Sequence, residues 1–159
     1  MKKKDFLIYF EYLSVLLFRA IFTLSFVGKL LYPYTFNSYI INFFKYHNIS
    51  FLLDIIGIDL FLYVILSLTL IVEALLLYSS FTNKKMFYYG TMAFFLMTTL
   101  IVLYGYFEGL GGDCGCYGII FSFDNNLNHL GLNTVFFTIS LLLIMLRKKI
   151  EFSNEPTVG

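Results

Sequence analysis

The chain has 159 residues, enough for one domain and awkward for two. Hydrophobic residues make up 59% of it and charged residues 13%, against about 45–50% and about 25% in a soluble domain; a polar surface cannot be built from so few polar groups, and disorder is excluded at this hydrophobicity. The net charge of +1 offers no basic field for phosphates, which excludes nucleic-acid binding by bulk electrostatics. An integral membrane protein of the all-α class remains.

Four segments supply the roughly 20 mostly apolar residues that a spanning helix needs, and three helices would leave one of these runs in water. The first covers residues 6–32 and carries Glu11, Arg19 and Lys29. Its Met1-Lys2-Lys3-Lys4 start resembles the basic region of a signal peptide. Arg19 interrupts the apolar run, however, and no small-residue cleavage site precedes Tyr32-Pro33. The segment reads as a retained helix that Pro33 ends.

Residues 33–57 contain a helical stripe: Phe36, Tyr39, Ile40, Phe43 and Phe44 share one face, and Asn37, Ser38, Asn42 and Lys45 occupy the other, with Ile41 the exception. This spacing predicts an amphipathic helix lying on the membrane surface or folded over the bundle. The second span covers 58–81, with Asp59 at its edge and Glu73 inside; the third, 86–107, has no charge; the fourth covers 130–146. Residues 1–150 then form a four-helix membrane domain. Residues 151–159, polar and containing Pro156, form a tail expected to be disordered.

Basic residues cluster before the first span (Lys2, Lys3, Lys4), between the second and third (Lys84, Lys85) and after the fourth (Arg147, Lys148, Lys149). The remaining two loops hold Lys45, Asp54, Glu108, Asp113 and Asp124. The positive-inside rule therefore predicts cytoplasmic termini and outward-facing long loops. In a bacterial inner membrane those loops lie in the periplasm.

The chain's two cysteines, Cys114 and Cys116, sit in Gly-Gly-Asp-Cys-Gly-Cys-Tyr-Gly within one of these outer loops. That compartment favours disulfides. A bond between residues i and i+2 must bend the backbone to bring its Cα atoms to the usual spacing, and Gly115 with its neighbouring glycines permits that bending. Strained, exposed disulfides are the labile or catalytic ones, so a thiol–disulfide function is the leading reading. A structural staple is weaker, because so short a loop yields little entropic stabilisation. A metal site joining His129, His47 or Asp113 to the thiolates is also weaker, with only two scattered histidines in the chain, and none is assigned. Negative Asp113 and Glu108 would raise the thiol pKa values; Lys29 would offset this if the loop folds back over the bundle.

Charges inside the bilayer mark ion pairs or functional sites. Arg19 lies about 15 Å and Glu73 about 12 Å from the cytoplasmic ends of their helices at 1.5 Å per residue. These matching depths predict an Arg19–Glu73 ion pair, which fixes helix register or, alternatively, belongs to a proton pathway. Lys29 and Glu11 are expected to snorkel to the interfaces.

These residues resemble the MauE branch of the DoxX-like four-helix membrane proteins. The likeness runs from Arg19 through Phe26-Val27-Gly28-Lys29-Leu30, Pro33 and Phe36 to Glu73 with its following leucines. It continues through Cys114-Gly115-Cys116-Tyr117-Gly118, with Tyr117 in a Phe place, to Asn133 at the opening of the fourth helix. The resemblance implies a redox-associated membrane protein of a family implicated in maturing the disulfide-rich small subunit of methylamine dehydrogenase.

Two functions compete. In the first, a thiol–disulfide oxidoreductase, Cys114 and Cys116 exchange with an exported thioredoxin-like protein or a disulfide-containing client. Gly115 sets the strain, Tyr117 and the outer-loop helix shape a docking surface, and a quinone is a candidate electron acceptor. With one cysteine pair, a shuttle or partner-dependent subunit fits better than a self-sufficient oxidase. In the second, the chain is a non-enzymatic scaffold subunit of a membrane or secretion complex.

Overall fold

The computed structural model describes residues 3–46, 57–108 and 126–153. Five helices account for them: α1 (Lys3–Leu31), α2 (Pro33–Tyr46), α3 (Ile58–Thr82), α4 (Lys84–Phe107) and α5 (Asn126–Ser153). Four stretches are long and apolar enough to cross a bilayer: Phe6–Leu31, Ile58–Thr82, Lys84–Phe107 and Leu127–Arg147. The expected all-α membrane bundle is therefore the observed one.

Local chemistry sets the breaks. Tyr32 closes the last turn of α1 by donating its N–H to the Gly28 carbonyl at 2.9 Å, and Pro33 restarts the chain as the first residue of α2, where its missing N–H costs nothing. Gly57 precedes α3 with φ +82°, a conformation that a side chain would oppose. Asn83 turns α3 into α4, its side chain accepting the Met86 N–H at 3.1 Å as an N-cap. The fourth spanning helix begins earlier than residue 130 and continues to Ser153. The tail expected to start at 151 is thus helical for its first three residues, and 154–159 lie outside the described residues.

Helix α4 packs most extensively against α5, and α3 lies against both α1 and α4. The basic turn at Lys84 marks one end of the bundle. The opposite end, from which residues 47–56 and 109–125 depart, is the loop end. At the centre an aromatic cluster joins three helices. Phe18 and Phe22 of α1 meet Phe95 of α4 at ring-centroid distances of 5.5 and 5.8 Å, and Phe136 of α5 lies 5.1 Å from Phe95.

Polarity is distributed as lipid demands. Helix α3 turns Leu60, Val64, Leu68, Ile71 and Leu75 outward, while its buried positions are Leu62, Glu73, Leu76, Ser79 and Ser80. With no water outside, polar groups are satisfied only inside the bundle. Exposed Tyr63 and Tyr106 ring the loop end, and exposed Tyr9, Tyr12, Tyr78 and Tyr89 ring the basic end. Tyr89 and Tyr106 on α4 are about 25 Å apart along the axis at 1.5 Å per residue. That separation fits two interfacial belts.

The predicted stripe of α2 faces inward. Phe36 and Tyr39 are buried, Phe44 packs edge-on against Phe61 of α3 at 4.9 Å, and Phe43 lies 5.9 Å from Tyr104 of α4. Exposed Asn42 and Lys45 hold the outer face. Of the two placements the sequence left open, α2 takes the one folded over the bundle. Tyr46 secures its far end by donating to Glu108 Oε2 at 3.0 Å. That carboxylate raises the Tyr46 phenol pKa above its ordinary value, so the tie holds below the ordinary tyrosine range and is lost as pH rises through the elevated pKa.

Candidate functional site

Along α1, Phe18, Phe22, Ser25 and Lys29 recur at helical spacing on one buried face. The aromatic residues enter the core, and the same rotation carries Ser25 and Lys29 inward above them. Glu73 meets them from α3. Lys29 Nζ donates to Glu73 Oε1 and to Ser25 Oγ, each at 2.6 Å, and Ser25 Oγ donates to the same Glu73 oxygen at 2.7 Å. Both charged side chains are 0% exposed. Glu73 Oε2 is buried with no hydrogen-bond partner among the described residues.

This arrangement corrects two expectations. Glu73 pairs with Lys29 rather than Arg19, and Lys29 does not snorkel. Arg19 Nε donates to Ser80 Oγ at 2.9 Å and its Nη2 to the Ser80 carbonyl at 2.7 Å, while the guanidinium lies 3.8 Å from the Phe81 ring centroid. Register is the cause. Ser80 lies within a turn of the end of α3, whereas Arg19 lies about 16 residues, or about 24 Å, from the start of α1. The N-terminal part of α1 extends past the α3–α4 turn, so depths counted from helix ends misalign the two residues. Glu11, also expected to snorkel, accepts hydrogen bonds from Lys84 Nζ at 3.2 Å and from the Tyr88 hydroxyl.

Arg19 closes an otherwise open helix end, since the last carbonyls of α3 lack helical partners. Arg19→Met should lower stability by about 1.5–3 kcal/mol, the range for hydrogen bonds to a charged group, and Arg19→Lys should recover only part of it, because lysine lacks the planar fork. Denaturant titration of the detergent-solubilised variants reads this directly.

Among the described residues, Lys29 is the one charged residue lining a cavity of about 640 Å³ between α2, α3 and α4. Phe36 and Tyr39 of α2, Leu68 and Val72 of α3, and Phe94 and Met97 of α4 supply much of the remaining wall. The Phe36 ring centroid lies 5.9 Å from Lys29 Nζ.

Cys114, Gly115, Cys116 and Tyr117 lie outside the described residues. Their segment leaves α4 at Glu108, the residue tied to Tyr46, and enters α5 at Asn126, so it is anchored at the loop end. Just inside α5, His129 and Asn133 are both 0% exposed and one turn apart on the inward stripe that continues to Phe136, Ser140 and Leu143. Asn133 is therefore two turns inside this helix rather than at its opening. Sequence reasoning missed the partner serines, Ser25 and Ser80. The inward register of Phe18 and Phe22 was the signal available for Ser25 and Lys29.

These features define a class: a multi-pass helical membrane protein with a buried ion pair beside a lipid-level cavity and a cysteine-bearing segment anchored at the loop end. No match was found among curated proteins or solved structures. The family model described as methylamine utilisation protein MauE matches residues 7–146, and the chain belongs to the MauE family.

Proposed function

We propose that this protein is a membrane-embedded thiol–disulfide redox protein that uses Cys114 and Cys116 to support oxidation or maturation of exported proteins. The carrying observation is the Cys-Gly-Cys sequence in the segment between Glu108 and Asn126, whose two anchors lie at the loop end, beside α2. The family description adds a setting, methylamine utilisation. The client is an exported disulfide-containing protein or a thioredoxin-like carrier. In the orientation proposed here, the termini and Lys84-Lys85 face the cytoplasm of a bacterial inner membrane and the cysteines face the periplasm.

Trapping tests the chemistry. Leaving one cysteine in place, as Cys114→Ser or Cys116→Ser, should capture a mixed disulfide with the client, because the resolving thiol is gone. If neither single variant captures a partner and both support maturation, the scaffold role replaces this reading.

Orientation gives a separate expected result. After reduction, a membrane-impermeant maleimide added to intact spheroplasts should modify Cys114 or Cys116. Modification that requires opening the vesicle interior would reverse the assignment.

A further inference from the structure

We infer that the groove between α2, α3 and α4 holds one acyl chain of an anionic phospholipid whose headgroup sits at the basic turn, beside Lys85. The inference is independent of the thiol–disulfide reading. Leu68, Val72 and Leu75 of α3 and Met86, Met97 and Ile101 of α4 line the groove and are also exposed on the lipid-facing surface. The groove therefore opens sideways into the bilayer rather than into water. Its loop end is roofed by α2, which adds Phe36 and Tyr39 to the wall and is held over α3 and α4 by the Phe44–Phe61 and Phe43–Tyr104 contacts. Its other end runs down to Met86, in the first turn of α4.

The wall calls for hydrocarbon. Lys29 is 0% exposed, and its ammonium is committed to Glu73 and Ser25. The hydroxyls of Thr69 and Thr98 donate to the Ile65 and Phe95 carbonyls of their own helices. These polar groups are turned to partners inside the protein, so an apolar chain strands none of them. Size then decides among apolar occupants. From Ile65 to Leu76 the α3 wall extends about 16 Å at 1.5 Å per residue, which matches one leaflet, half of the roughly 30 Å hydrocarbon core. A volume of about 640 Å³ over that length gives a mean cross-section of about 40 Å², whereas a helix about 10 Å across needs about 80 Å². A partner's spanning helix is too wide for the groove, and a single hydrocarbon chain is not.

The basic turn selects the headgroup. Lys85 is exposed and immediately precedes Met86, the groove-lining residue at that end. A lysine at an interface carries its ammonium to the level of the headgroup phosphates and favours anionic lipid there. The neighbouring Lys84 is engaged by Glu11 at 3.2 Å, which leaves the selectivity chiefly to Lys85.

The test uses the full chain in phosphatidylcholine nanodiscs doped with phosphatidylglycerol that carries a diazirine on its acyl chain. Photolysis should label peptides spanning 65–76 and 86–101 above all others, and unlabelled phosphatidylglycerol should compete. Ala93→Phe, at an exposed position in the groove wall, should reduce this labelling by at least about tenfold with an unchanged elution profile. Leu100→Phe, at an exposed α4 position outside the groove, should leave it unchanged. Lys85→Gln should cut the preference for phosphatidylglycerol over a phosphatidylcholine probe by about fivefold, which converts to about 1 kcal/mol. Labelling spread over all the lipid-facing helices and indifferent to Ala93→Phe would mean bulk lipid only and overturn the inference. Equal groove labelling by the two probes, unmoved by Lys85→Gln, would overturn the headgroup assignment. Disulfide-linked dimers of Ala93→Cys on a background of Cys114→Ser and Cys116→Ser, with the parent's groove unlabelled, would give the groove to a second copy instead.

Discussion

Lys29→Met should destabilise the protein by about 3–5 kcal/mol, the usual cost of removing one partner from a buried ion pair. The substitution keeps the chain length but leaves Glu73, 0% exposed, with the Ser25 hydroxyl as its remaining donor among the described residues. Lys84→Met, at the bridge to Glu11 where the lysine side chain is 62% exposed, should change stability by no more than about 1 kcal/mol. The double variant Lys29→Met/Glu73→Met should regain much of the loss, because two apolar side chains owe no desolvation cost. A double-mutant cycle in denaturant-titrated detergent micelles isolates the coupling. Equal effects at Lys29 and Lys84 would mean that the buried pair does not hold α1 to α3.

Cys114→Ser combined with Cys116→Ser should eliminate thiol–disulfide exchange entirely while leaving the helical bundle intact. A bond closing so short a loop contributes little chain entropy, so the cysteines hold none of the helices together. Circular dichroism and thermal aggregation should match the parent, and exchange with a reduced thioredoxin-like substrate should fall to the uncatalysed rate. Widening the pair to Cys-Gly-x-Cys should relieve ring strain and make the bond less oxidising. Full client maturation by the double serine variant would remove the cysteines from the function.

The spans were legible because a membrane fold writes itself in long apolar runs, and Pro33 and the stripe of α2 are equally local signals. The ion pair was not, because its geometry is a relation between two helices. Counting residues from helix ends assumed that the start of α1 and the end of α3 lie in one plane, and α1 overshoots. Reading the register of Phe18 and Phe22 toward Lys29 would have turned that lysine inward. His129 illustrates a different limit: its burial depends on the rotation of α5, and the sequence showed only a lone histidine near the cysteines. The proposed cysteine chemistry, in contrast, rests on composition and spacing alone, since Cys114 and Cys116 lie outside the described residues.

The stripe of α1 also constrains how this chain can change. Phe18 and Lys29 are separated by about three whole helical turns at 3.6 residues per turn, which is why one face carries both the aromatic anchor and the charge. A single residue inserted between Phe22 and Ser25 would rotate everything after it by about 100°. Phe18 and Phe22 would stay in the core while the ammonium of Lys29 swung toward lipid and Glu73 lost its cation. Substitutions along the outward face of α1 are comparatively free, since Leu13, Leu16, Leu24 and Val27 are exposed there. Gains or losses of length within this helix are survivable only in steps that restore the phase. Its amino acids can drift, but its residue count between the two anchors is held by the charge at its end.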